Sequence, residues 1–501
     1  MIRPKLMRYV LALDQSTSAT KALLFDEQGG CVDRESREHR QYYPQPGWVE
    51  HDAEEIWQNT LTVLGAVATR NAERWQDVVC LSLTNQRETI VVFERGTGRP
   101  LHPAIVWQCR RGDSACEEQR AAGREPLVHA RTGLCLDAYF SGSKLQWLVR
   151  HQPELRRKLQ AGEALIGTID AYLIYRLTAG KVFATDSTNA SRTLLYDIGR
   201  LCWDEELCGW WDVPRGALPE VRESFATFGE TSLDGALVRP LPICGVMGDS
   251  QASLFAQRCF EPGAGKATFG TGSSVLLNIG HTLRLSDRGV VTTLAWVQAG
   301  KPTYAFEGII ISSAATVSWL RDQLGIIASF EETEAIAASL SDSDGVYFVP
   351  AFSGLGLPYW QPAARAAVVG LSGHSDRRHV VRAALESISY QLRDALDALR
   401  AEADVPLRGL HGDGGPTMNR WLMQFTADLT RTELHVATMA DCSALGAARA
   451  GLLGLGVQPS FAALALLPRE ETIYQPAMPA ARSDALLAGW RRAVRQTLSS
   501  A

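Results

Sequence analysis

A mixed α/β fold in two similar halves is predicted by three features of the 501-residue chain. An apolar strand from Tyr9 to Leu13 breaks at a turn of small and hydroxyl-bearing residues, Asp14-Gln-Ser-Thr-Ser-Ala-Thr20, and resumes as Lys21-Ala-Leu-Leu-Phe25. The pattern returns at Ala267-Thr-Phe-Gly-Thr-Gly-Ser-Ser-Val275, where a strand is interrupted by a Gly/Thr/Ser turn and continues to Ile279. Apolar residues at helical spacing, Val381, Leu385, Ile388, Leu392, Leu396 and Leu399, mark a helix near 378 to 402 with one buried stripe.

Taken in order, the first hairpin turn offers backbone amides and hydroxyls to an anion. It is not a P-loop, because Gly-x4-Gly-Lys-Ser/Thr is absent and a strand follows instead of a helix. Ser/Thr turns are common, so the hairpin gains weight only from its repetition. At Val246-Met-Gly-Asp-Ser-Gln-Ala-Ser-Leu254 an apolar run ends in Gly248 and meets one carboxylate, Asp249, before a helical pattern. That placement suits a catalytic base and equally suits an N-cap for the free amides of the helix. Gln257 to Lys266, with Pro262, Gly263 and Gly265, is the break between halves. A third turn, Gly412-Asp-Gly-Gly415, precedes an amphipathic stretch carrying Asn419, Trp421, Leu422, Met423 and Phe425. Adjacent glycines at a helix start let a phosphate approach the backbone closely.

Composition excludes several classes. The net charge of -5, with no basic run beyond Arg110-Arg111 and Arg377-Arg378, gives no general attraction to nucleic acid. No apolar run nears the roughly 18 residues of a membrane span, and Met1-Ile-Arg-Pro-Lys-Leu-Met is too short and polar for a signal peptide. The ten cysteines lack zinc or redox spacing and read as reduced thiols of a cytoplasmic protein. The histidines, among them His51, His102 and His411, show no metal-ligand spacing and read as structural.

Eight blocks carry a resemblance. They are LALDQSTSATKALLFD, TNQRETIVVF from Thr84, AIVWQCRR from Ala104, DAYFSGSKLQW from Asp137, GTIDAYLIYRLT from Gly167, TDSTNASRTLL from Thr185, FVPAFSGLGLPYW from Phe348 and GDGGPTMNRWLMQF from Gly412. In this order they resemble the FGGY carbohydrate kinases, and among them the glycerol kinases. The resemblance implies two actin/hexokinase/Hsp70-like (ribonuclease H-like) domains with an active-site cleft between them. Residues 1–256 would bind polyol and phosphate and carry the catalytic Asp; 257–501 would bind ATP.

It further implies that Asp249 accepts the proton of the attacking hydroxyl and that Asp14 holds Mg2+, in one arrangement together with Asp249. Thr17, Ser18 and Lys21 would meet the phosphates, and Thr271, Gly415 and Asn419 would line the nucleotide site. Arg87, Glu88, Trp107 and Tyr139 match the residues that grip the polyol, a charged pair and an aromatic wall suited to hydroxyls and a carbon edge. Homodimers or homotetramers are implied by relatives alone. Asp170 and Asp186 lie in matching blocks without chemistry that can be assigned to them.

The chain departs from the pattern at three places. Ser250 stands where these kinases have Gln and Ser274 where they have Phe, which makes the pocket roomier and more polar. Either glycerol is used with water in the gap, or a longer substrate, a tetritol, pentitol or ketopentose, fills it. Ala314 and Ser318 replace a Gly-x3-Gln pattern and should alter contacts near the ribose and base. An ATPase of the actin or Hsp70 kind shares the duplicated fold, but it lacks the polyol group of Arg87, Glu88, Trp107 and Tyr139.

Overall fold

The computed structural model describes residues 7–499 except 234, 238 and 287. Tyr9–Gln15 (β1), Ala19–Asp26 (β2) and Cys31–Glu38 (β3) form an antiparallel meander. Val78–Asn85 (β4) pairs parallel with β1, Leu241–Gly248 (β5) parallel with β4, and Thr227–Thr231 closes the edge. The second sheet repeats the plan. Ala264–Phe269 (β6), Ser273–Gly280 (β7) and Lys301–Ile310 (β8) are its meander, and Gly409–Asp413 (β9) and Leu434–Ala437 (β10) its parallel strands. Val291–Gln298 and Glu471–Tyr474 flank it on either side. Both halves thus have one strand order, five strands deep, with only the edge strands differing.

The inner strands are apolar on both faces because helices cover both. Leu11 and Leu13 of β1 pack with Ile56, Trp57 and Val63 of α1 (Ala53–Arg70), a helix whose cap Asp52 accepts the Glu54 amide at 2.8 Å. α2 (Asp249–Ala256) leaves β5 directly. In α3 (Arg377–Glu402) the six residues of the predicted stripe are all buried, and with Leu422 and Met423 of α4 (Arg420–Thr430) they join the core of the second sheet. α5 (Cys442–Gly454) then returns to the first sheet. Its Ala444, Leu445 and Ala448 pack on Val10 and Ala12, the opposite face of β1.

α5 and α2 touch closely as they run between the two sheets. A Cβ on Gly446 would lie 1.8 Å from the Ala252 carbonyl oxygen, so only glycine permits this approach. The parallel strands of each sheet end on the same side, the usual place for ligands in α/β sheets. From those ends come the turn after β1, residues 86–89, Asp249, and the turns after β6 and β9.

Candidate active site

Asp249 is the first residue of α2, and Gly248 is the cap. The N-cap reading of this carboxylate is thus corrected, since the cap carries no side chain. Asp249 Oδ1 accepts the Ser250 amide at 2.6 Å, as an end-of-helix acid does, yet 38% of the side chain remains open to a cavity. Three contacts fix the backbone around it. The Gly248 amide donates to Thr188 Oγ1 at 2.9 Å, Ser443 Oγ donates to the Asp249 carbonyl at 3.0 Å, and the Arg87 side chain packs where a Cβ on Gly248 would sit.

Arg87 links Asp249 to a buried chain of charge. Its Nε lies 3.2 Å from Asp249 Oδ1, while Nη2 and Nη1 donate to Glu307 at 2.6 and 3.2 Å. Arg192 Nη1 lies 2.6 Å from Glu307 Oε2, the oxygen that also accepts from Arg87 Nη1, and Arg192 Nε donates to Glu88 at 2.7 Å. The order Asp249, Arg87, Glu307, Arg192, Glu88 alternates in sign, which is how buried charges offset their lost hydration. Burial pushes the Glu307 carboxyl up, but Arg192 and Arg87 outweigh it and hold it below its usual value. At Glu88 burial prevails over Arg87 and Arg192, and its carboxyl lies above its usual value. Glu88 also adopts φ +60, left-handed backbone that costs a non-glycine residue about 1–2 kcal/mol.

The aromatic wall and the first hairpin are joined. Trp107 Nε1 donates to Thr17 Oγ1 at 2.9 Å, and the Trp107 and Tyr139 rings are 5.3 Å apart. At the hairpin base Lys21 Nζ donates to Asp441 at 3.0 Å and stands 3.7 Å from Asp14. Burial lifts the Asp14 carboxyl to about 6 against the pull of Lys21, with Asp441 and Asp249 adding to the rise.

These groups surround one cavity of about 230 Å³. Thr17, Ser18, Arg87, Glu88, Trp107, Tyr139, Asp249 and Ser250 line it from the first half, and Thr271 and Ser274 from the second. Asp14 and Lys21 are not in its lining; they sit on the hairpin that supplies Ser16 to Ser18. Ala314, Ser318, Gly415 and Asn419 are also outside it. The Ala314 amide donates to the Gly270 carbonyl at 3.0 Å, which ties the start of the Ala315–Asp322 helix to the second hairpin, and the Ser318 amide donates to Ala314. Asn419 Oδ1 accepts the Leu422 amide as the α4 cap, and its Nδ2 donates to Thr333 at 3.2 Å.

The gap expected at Ser250 and Ser274 takes a different form. Their hydroxyls meet at 2.8 Å, and Ser274 Oγ accepts from the buried Lys266 at 3.0 Å. Polarity is present, and the two hydroxyls bond to each other at one wall of the cavity.

Sequence reasoning missed Arg192, Glu307, Lys266, Thr188 and Asp441. The signal for Glu307 and Lys266 is a lone charge inside an apolar strand, YAFEGII and AGKATF, since such residues are almost never buried unless paired. Asp170 and Asp186 now have a place. Asp186 accepts from Thr188 Oγ1 at 2.9 Å, the same threonine that holds Gly248, and the Asp186 amide donates to Asp170.

Residues 9–256 match the N-terminal domain of the FGGY family of carbohydrate kinases, and residues 265–455 its C-terminal domain. The glycerol kinase of Alkaliphilus metalliredigens is 43% identical over 491 residues, 98% of either chain. That of Desulfitobacterium hafniense is 44% identical over 98% of this chain and 99% of its own. The crystal structure of Plasmodium falciparum glycerol kinase with ADP superposes with a TM-score of 0.89 at 35% identity, covering 98% of both chains. A xylulose kinase from Lactobacillus acidophilus, 19% identical over 99% of both chains, shares the fold with a TM-score of 0.86. Both domains of the family are therefore present in their usual order, and the chain belongs to the FGGY family of carbohydrate kinases.

Proposed function

We propose that the protein transfers the γ-phosphoryl group of ATP to a terminal hydroxyl of glycerol, giving sn-glycerol 3-phosphate. The observation that carries this reading is the convergence of Arg87, Glu88, Trp107, Tyr139 and Asp249 with the two Ser/Thr hairpin turns around one cavity. Full-length similarity to glycerol kinases supports glycerol as the polyol.

Phosphoryl transfer is catalysed mainly by positioning and by neutralising charge. Arg87 holds Asp249 by its Nε, so the free carboxylate oxygen can face the attacking hydroxyl and take its proton as the new P–O bond forms. Such a base is worth about 10²- to 10⁴-fold. Arg87 and Glu88 supply a donor and an acceptor for the polyol's other hydroxyls, and Trp107 and Tyr139 pack its carbon edge. Thr17, Ser18 and Thr271 offer hydroxyls and amides to the phosphates, with Lys21 as the cation beside them. Ala314, Ser318, Gly415 and Asn419 flank the nucleotide on the second half. Asp14 suits Mg2+, because it is a hard oxygen donor, buried, and short of compensating charge, with Asp249 near enough to raise its pKa. The ion would spread the charge of the ATP phosphates.

This reading divides the labour between residues 1–256 and 257–501, while α5 of the second part braces the first sheet. Ten free cysteines agree with a reducing, cytoplasmic setting, and among the described residues no helix is long and apolar enough to cross a membrane. Assembly as a homodimer or homotetramer follows the family resemblance, and light scattering would measure it. The test of function is ADP formation with Mg2+-ATP, with and without glycerol, and identification of the product. Glycerol-dependent ADP release with sn-glycerol 3-phosphate is expected; ATP turnover indifferent to any polyol would overturn the reading.

A further inference from the structure

Lys266 is a buried lysine one step behind the polyol cavity. It stands on β6 and donates to Thr268 Oγ1 at 2.7 Å and Ser274 Oγ at 3.0 Å. Ser274 Oγ in turn lies 2.8 Å from Ser250 Oγ, and both serines line the cavity beside Asp249. Among the described residues neither serine hydroxyl has a further hydrogen-bond partner.

Donor counting gives this chain a direction. Lys266 Nζ is the donor in its bond to Ser274, so Ser274 presents a lone pair to it. The two serines hold two hydroxyl protons, and one of them forms the bond between them. The other has no protein acceptor, so the pair offers the cavity one O–H and unused lone pairs. That is the complement of a hydroxyl group, which both donates and accepts. A carboxylate fits less well, because the lysine reaches the cavity only through neutral hydroxyls and Arg87 already serves Asp249 and Glu307.

Glycerol has three hydroxyls. One is assigned to Asp249 and two to Arg87 and Glu88, which leaves the serine pair without a substrate group. We propose that Lys266, Ser274 and Ser250 form a subsite for a fourth substrate oxygen, so that the pocket accepts a four-carbon polyol, a tetritol, as well as glycerol. Ser250 and Ser274 touch the extra hydroxyl, and Lys266 is a positioning residue that holds the pair in register. The inference rests on the polyol-kinase reading above. It goes beyond that reading in naming a second, longer substrate that the serine pair admits.

A site built to hydrogen-bond a substrate hydroxyl discriminates against the analogue that lacks it. The experiment compares kcat/KM for glycerol, erythritol, D-threitol and L-threitol in the wild type, Ser274→Ala, Ser250→Ala and Lys266→Met. At least one tetritol is expected to be phosphorylated with a kcat/KM within about tenfold of that for glycerol. Each serine variant should lower the tetritol-to-glycerol ratio by about tenfold or more, the effect of leaving one buried hydroxyl unpartnered. For Lys266→Met the loss should fall mainly on tetritol KM, and unaltered ADP binding would separate that from misfolding. Glycerol at least tenfold above every tetritol, or ratios untouched in both serine variants, would overturn the fourth-oxygen subsite while leaving the kinase reading intact. No turnover with any polyol would sink the kinase reading instead.

Discussion

Arg87 Nη2 and Glu307 Oε1, 220 positions apart in the chain, meet at 2.6 Å with both side chains buried. The pair joins the two sheets through the site, since Arg87 follows β4 and Glu307 lies within β8. It also orients the guanidinium whose Nε faces Asp249.

Replacing Glu307 by Gln keeps the shape and removes the charge between Arg87 and Arg192. Breaking a buried pair in this way costs about 3–5 kcal/mol, because the cations are left uncompensated. We expect a lower melting temperature together with a raised KM for the polyol. A Glu307→Gln protein with wild-type melting and KM would show that the pair neither stabilises the fold nor aims Arg87.

The closeness of α2 and α5 makes a second expectation. Gly446→Ala drives a Cβ into the Ala252 carbonyl, and overpacking of this kind typically costs about 1–3 kcal/mol or more. Gly65, in α1, has open space around its Cβ position, so Gly65→Ala should be neutral or stabilise by up to about 1 kcal/mol. Urea denaturation of both variants checks this. Equal midpoints would mean that the helix contact is looser than 1.8 Å implies.

The third expectation concerns pH. Burial, reinforced by Asp186, raises the Asp170 carboxyl from 3.8 to about 6. A carboxyl with the higher pKa in the folded state opposes folding once it ionises. That penalty is absent below about pH 4, grows between 4 and 6, and is constant above. At about 1.4 kcal/mol per unit it approaches about 3 kcal/mol. Asp170→Asn cannot ionise, so its stability relative to wild type should improve as pH rises from 4 to 6.5. A difference flat across that window would rule out Asp170 as the source.

Much of the fold was legible in the sequence because its signals are local. The strand, turn, strand pattern at Tyr9–Phe25 and Ala267–Ile279 reports backbone geometry directly, and the Val381 to Leu399 stripe has one period and one buried face. Asp249 was legible because Gly248 and an apolar strand precede it. Arg192 and Glu307 were not, since their meaning lies in each other and they sit over a hundred residues apart. The serines show the same limit. Their types implied polarity, but only the tertiary pairing of β6, β7 and α2 brings Ser274 and Ser250 to Lys266. The return of α5 to the first sheet was likewise hidden, because an alanine-rich apolar helix such as CSALGAARAGLLG does not say which sheet it covers.

The central claim is that Asp249 removes the proton of a polyol hydroxyl during phosphoryl transfer. The most direct measurement is single-turnover ADP formation by wild type and Asp249→Asn with saturating Mg2+-ATP and glycerol or a tetritol. The substitution preserves size, and Arg87 still has Glu307 as its partner, so nucleotide binding should be retained. The expected result is a polyol-dependent rate lowered about 10²- to 10⁴-fold with nucleotide affinity nearly unchanged; a rate within a few-fold of wild type would contradict the account.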